Sequence, residues 1–175
     1  DGKRVYAGFG GGQLVALTKD GKRIWEAYVG EFPILFEVDA KENVYVAGKN
    51  RELFSFDSQG KLRWRYRIPD HVVTGGAMSA DGRLIVVGTV GSWMYAFSDE
   101  GRLLWRRRAN FGALGMTADG RWIVDGERNV YDSGGTIAWS SSEKMLASGI
   151  AISRDGMYVA GVYGDSSIRL FRREP

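Results

Sequence analysis

Between residues 83 and 108 the apolar positions tend to recur at every second residue. Arg83 to Gly88 is rich in branched aliphatics, Trp93 to Phe97 alternates, and Leu103 to Arg108 alternates around Trp105. A period of two places successive side chains on opposite faces of an extended chain, so each run predicts a strand, and the Asp, Gly and Ser residues between runs predict tight turns. Gly75 to Ser79, small and partly apolar, completes a set of four strand-length runs. Helix finds no place: the one stretch of tolerable helical composition, Ser142 to Ser148, is short and ends in a Ser-Gly pair, which makes it a loop. The pattern predicts an all-β chain.

Two markers set the period. Glycine, three variable residues and tryptophan occur at Gly21 to Trp25, Gly60 to Trp64, Gly101 to Trp105 and Gly135 to Trp139. Asp1-Gly2, Asp81-Gly82, Asp119-Gly120 and Asp155-Gly156, with Asp39-Ala40 as a degenerate member, each open an apolar run that closes on Gly8, Gly88, Gly126, Gly161 or Gly48. These markers divide the chain into repeats 1–38, 39–80, 81–118 and 119–154 and a partial repeat 155–175. Four antiparallel strands in about 40 residues is the blade of a β-propeller. The expectation is a single repeat array of about four and a half blades, in which the first blade lacks its inner strand and the last its outer one. Such an array exposes broad faces and edges, so it is expected to be part of a larger propeller or to be completed by another chain through self-association.

Composition narrows the chemistry. The 25 glycines, three prolines and 13% aromatic residues suit a turn-rich sheet protein. With no cysteine there is no disulfide, thiolate metal site or cysteine nucleophile. His71 is the only histidine, which excludes a histidine-rich metal site, and its neighbour Asp70 points the other way on an extended segment, against a catalytic triad. A net charge of +3 argues against nucleic acid, and the arginines at 63, 65, 67, 106–108, 169, 172 and 173 are expected to block edge-to-edge strand pairing. No apolar run of about 18 residues exists, so no helical membrane span is predicted. Neither a metal nor a cofactor site is expected.

The segments LFSFDSQGKLRW at 53–64 and YAFSDEGRLLW at 95–105 resemble the tryptophan-docking repeat of quinoprotein-like, or PQQ-like, β-propellers. In that family the motif runs from an alanine and an aspartate through a glycine to a tryptophan, and here the interval before the glycine is one residue shorter. The turn MSADGR at 78–83 is similar to turns of WD-repeat propellers instead. The resemblance implies that Trp25, Trp64, Trp105 and Trp139 lie on outer strands and dock neighbouring blades. The chain is expected to be a rigid, noncatalytic scaffold that binds a protein, peptide or glycan through its irregular loop face, and the resemblance is compatible with an extracytoplasmic location. One alternative is a fragment of a PQQ-dependent dehydrogenase, which would carry a quinone, a calcium held by Glu and Asn or Asp, and an aspartate base. No position matches that active-site motif. Another is a sensor or adhesion module of a larger extracellular protein.

Strand phase predicts where a ligand would bind. Connections one-to-two and three-to-four of each blade carry stereotyped turns, whereas connections two-to-three and those between blades are irregular and gather on the other face. The binding candidates on that face are Phe32, Lys49, Arg51, Asp70, His71, Trp93, Phe111, Tyr163 and Asp165. The glycines at 10–12 are expected to form a hairpin loop, because a phosphate cradle needs a following helix and a strand follows here.

Overall fold

The computed structural model describes residues 3–69, 73–109, 113–127, 129–141 and 148–173. Those residues form five antiparallel meanders in which sheet order follows chain order. The first holds β1 (Arg4–Gly8), β2 (Gln13–Thr18) and β3 (Arg23–Tyr28). The second holds β4 (Ile34–Val38), β5 (Val44–Ala47), β6 (Glu52–Phe56) and β7 (Leu62–Arg67). The third comprises β8 (Val73–Met78), β9 (Ile85–Thr89), β10 (Trp93–Phe97) and β11 (Leu103–Arg108). The fourth comprises β12 (Leu114–Met116), β13 (Trp122–Asp125), β14 (Asn129–Asp132) and β15 (Ile137–Ser140), and the fifth β16 (Gly149–Ile152), β17 (Tyr158–Val162) and β18 (Ile168–Arg172). Three of these sheets have four strands and the first and last have three, the blades of a partial β-propeller. Residues 142–147 of the expected loop lie outside the described residues.

The chain separates into two compact units, Asp1–Val73 and Thr74–Pro175. In the first, Leu14, Ala16, Trp25 and Val29 pack against Val44, Val46, Phe54 and Phe56. In the second, Val86, Met94 and Ala96 pack against Ile123 and Tyr131, while Val124 and Val130 pack on Val159 and Tyr163. Ile123 and Val124 are neighbours pointing to opposite faces, so the fourth sheet is apolar on both sides and is covered by a sheet on each.

Two turn families space the strands. The three-to-four hairpins all place the motif glycine in the left-handed region, with φ of +80° at Gly21, +81° at Gly60, +80° at Gly101 and +79° at Gly135. Four of the two-to-three connections, expected to be irregular, share one geometry. Phe9 N–H donates to the Gln13 carbonyl and Gly12 N–H to the Phe9 carbonyl; Gly48, Glu52 and Arg51 repeat this pair, as do Tyr163, Ser167 and Ser166. The left-handed position is filled by Gly12, Arg51, Ser92 and Ser166. Because three of the four are not glycine, the sequence hides a turn the backbone repeats.

The Asp39 marker occupies a different place from its supposed equivalents. Asp39 N–H bonds the Asn43 carbonyl and Glu42 N–H bonds the Asp39 carbonyl, as Ser79 does with Leu84 and Gly82. Asp39 therefore corresponds to Ser79 and not to Asp81, and Glu42, at φ +61°, stands where Gly82 does at +71°.

Candidate interaction face

The tryptophans show how neighbouring sheets meet. Trp25 on β3 donates its indole N–H to the Ser58 carbonyl at 3.1 Å, and its ring lies on Gly60, where a Cβ would come within 2.6 Å. Trp105 on β11 repeats the contact with the Ser133 carbonyl at 2.9 Å and with Gly135. Thus Gly60 and Gly135 each receive the tryptophan of the motif before, and each indole N–H finds a carbonyl acceptor. Trp64 packs 6.0 Å from Tyr45, and Trp139 joins the cluster around Val124 and Val159.

A second device is repeated in the chain. The string Asp-x-x-x-Asn-Val-Tyr occurs at 39–45 and again at 125–131. In each copy the aspartate Oδ1 accepts the asparagine N–H, at 2.8 Å, and Oδ2 accepts the asparagine Nδ2 and the tyrosine hydroxyl. The first copy closes the β4–β5 turn and the second the β13–β14 turn. Burial, then the Asp125 carboxylate, drives the Tyr131 phenol far above its usual range. Tyr45 is raised chiefly by burial, with Arg63 bonded to its hydroxyl at 3.1 Å and opposing the rise. Asp39 and Asp125 are buried and spent on these clasps, so neither fits a calcium-and-quinone centre. Among the described residues no three of His, Cys, Asp and Glu gather as metal ligands, and no helix is long and apolar enough to cross a membrane.

On the face of the two-to-three turns, the first unit brings three of the candidates together. Phe32 N–H donates to the Gly10 carbonyl at 3.2 Å, Lys49 N–H donates to the Glu31 carbonyl at 3.0 Å, and the Lys49 ammonium lies 4.2 Å from the centre of the Phe32 ring. Arg51 follows in the same turn and donates to the Pro69 carbonyl at 3.2 Å. Packing beneath them is tight: a Cβ on Gly8 would lie 2.9 Å from the Pro33 ring, and one on Gly48 2.8 Å from the Val29 carbonyl. Phe9 and Tyr28, absent from the sequence candidates, join this face. Phe9 opens the Gly10–Gly12 turn, and the Tyr28 ring lies against Gly12.

The second unit disperses its candidates. Trp93 sits under the guanidinium groups of Arg106 and Arg108, at 5.1 and 4.8 Å. Beside it Ser92, Arg108, Ala109, Asn129, Tyr131 and Ile137 line a cavity of about 260 Å³. Tyr163 is buried under Arg169, and Asp165 is held in its own hairpin by Ser167 and by Arg169 at 2.9 Å. The Ser167 hydroxyl, above all, keeps the Asp165 carboxyl below the usual aspartate range. Asp70, His71 and Phe111 lie outside the described residues.

A family model described as outer membrane protein assembly factor BamB, of the PQQ-repeat type, matches residues 33–137. No curated protein matches the chain. That match covers more than half of the 175 residues and runs from the second sheet to the fourth, and the chain therefore belongs to this PQQ-repeat β-propeller family.

Proposed function

We propose that the chain is a noncatalytic scaffold whose sheets act as consecutive blades of one array and whose two-to-three turn face engages a protein partner. The observation that carries this reading is the aromatic and cationic group at Phe9, Tyr28, Phe32, Lys49 and Arg51, set on backbone packed at contact distance. A rigid base removes ordering cost from binding, and exposed aromatics with arginine are the side chains that dominate protein interfaces. The family description, an assembly factor, supports the same kind of role. Panning a random peptide library on the immobilised chain should return binders, and hydrogen exchange should then show protection at residues 9–12, 28–33 and 48–51. No binder, or protection confined to the three-to-four hairpins, overturns the reading.

A further inference from the structure

We propose that the ledge of Phe9, Tyr28, Phe32, Lys49 and Arg51 docks an extended segment of a partner protein that carries acidic side chains next to apolar or aromatic ones. This rests on the scaffold reading above and specifies its ligand.

Exposed apolar surface supplies half of the argument. Phe9, Tyr28 and Phe32 are 51%, 67% and 52% exposed, although all three are large side chains in or beside ordered turns. They are contiguous through the 9–12 turn, because Tyr28 lies on Gly12, and a Cβ on Gly10 would sit 3.6 Å from the Phe32 ring. Scattered exposed hydrophobics need no explanation, but three aromatics on one turn form a patch of the kind that marks a docking surface.

Charge supplies the other half. Among the described residues Lys49 has the Phe32 ring as its partner and Arg51 the Pro69 carbonyl, so neither cation faces a carboxylate. The carboxylate nearest in sequence, Glu52, is engaged by Asn50 Nδ2 at 3.0 Å. Glu31 is exposed in the same loop and bonds neither cation through its side chain. One cation on an apolar ring and a second in the same turn complement a segment that offers carboxylates and apolar groups in alternation, and they repel a basic one. Two cations are also too few for the phosphate neutralisation on which nucleic-acid binding depends.

Backbone strain coincides with the ledge. Phe32 at φ +49° and Arg51 at φ +67° occupy the left-handed region, which disfavours side chains, while the turn equivalent to that of Arg51 uses Gly12. Arg51 shares that geometry with Ser92 and Ser166 in the equivalent turns, so of the ledge residues Phe32 alone holds it outside that turn family.

The test is fluorescence polarisation of the whole chain with two fluorescein-labelled nonapeptides, one with alternating Asp and Phe and one with alternating Lys and Phe. The Asp/Phe peptide should bind saturably, and the Lys/Phe peptide should not. Binding should weaken about tenfold or more in Lys49→Gln with Arg51→Gln, and again when NaCl rises from about 0.05 to about 0.5 M. Phe32→Gly should abolish it while keeping the fold, since glycine suits φ +49°. Equal binding of both peptides, binding unchanged in the variants, or no saturable Asp/Phe binding overturns the proposal. So does preferential binding of a labelled oligosaccharide, or a dimer of the wild type that Phe32→Gly dissolves in sedimentation velocity, which would make the ledge a glycan site or a contact between copies. Library binders that protect other parts of the same face would defeat this ligand assignment and leave the scaffold reading intact.

Discussion

Gly21 and Gly60 share a backbone dihedral, +80° and +81°, but not an environment. A Cβ on Gly21 meets open space, whereas one on Gly60 would press into the Trp25 ring. Gly21→Ala should cost about 1–2 kcal/mol for the left-handed conformation alone. Gly60→Ala should cost at least twice as much in urea denaturation, and the excess should disappear in a Trp25→Ala background. Trp25→Ala itself should cost about 3–5 kcal/mol, because the ring is only 9% exposed. Single residues also set the pH response. Asp81, Asp119 and Asp155 are held below the usual range, first by the hydroxyls of Ser79, Thr117 and Ser153 and then by backbone N–H groups. Their folded values lie below the unfolded one of about 3.9, so their contribution is complete above that pH and fades as pH falls through the folded values. Urea midpoints should decline from about pH 4 downward, and less steeply in Asp155→Asn. Tyr131 runs the opposite way: its raised phenol contributes in full below the unfolded value of about 10 and is lost as pH climbs beyond it. Its phenolate absorbance should stay silent at pH values where surface tyrosines titrate, until the fold opens.

At the scale of elements, hairpins carry most of the information. Strands β10 and β11 match the sequence runs residue for residue; β11 alternates between partly buried and exposed positions, which writes its two faces into period two, whereas β10 is buried on both faces from Met94 to Phe97. The three-to-four turns were equally legible, since each needs a glycine at positive φ. The two-to-three turns were not, because Arg51, Ser92 and Ser166 adopt the same conformation without being glycine. Their shape is enforced from outside: the carbonyls of Gly12, Arg51 and Ser92 accept N–H groups from Val29, Ile68 and Ala109, at 2.8, 2.8 and 3.1 Å. Ser92→Gly should consequently be neutral or stabilising by up to about 1 kcal/mol in thermal or urea unfolding, as relief of the left-handed strain outweighs glycine's added freedom in the unfolded chain. A loss of more than that would mean that the Ser92 side chain supports the neighbouring cavity.

At the scale of the whole molecule, edge strand β18 leaves Ile168 and Leu170 76% and 68% exposed. An apolar edge is a template for further pairing, so replacing both with lysine should raise the solubility limit without lowering the unfolding midpoint. The sequence by itself determined the strand period, the repeat length, the family and the residue types of the candidate face, because all of these are written in local spacing. It also held the duplicated Asp-x-x-x-Asn-Val-Tyr clasp, which only the buried hydrogen bonds made recognisable. Tertiary structure decided which candidates meet. Phe32 and Lys49 come from different turns and are joined by backbone bonds between adjacent loops, whereas Tyr163 is taken into the core with Val124 and Val130 and Asp165 is absorbed by its own hairpin. It also decided that Phe9 and Tyr28 belong with the first group. Local alternation records which way a side chain points, but contact between loops depends on how sheets stack, and that stacking is fixed by close approaches such as Trp25 on Gly60.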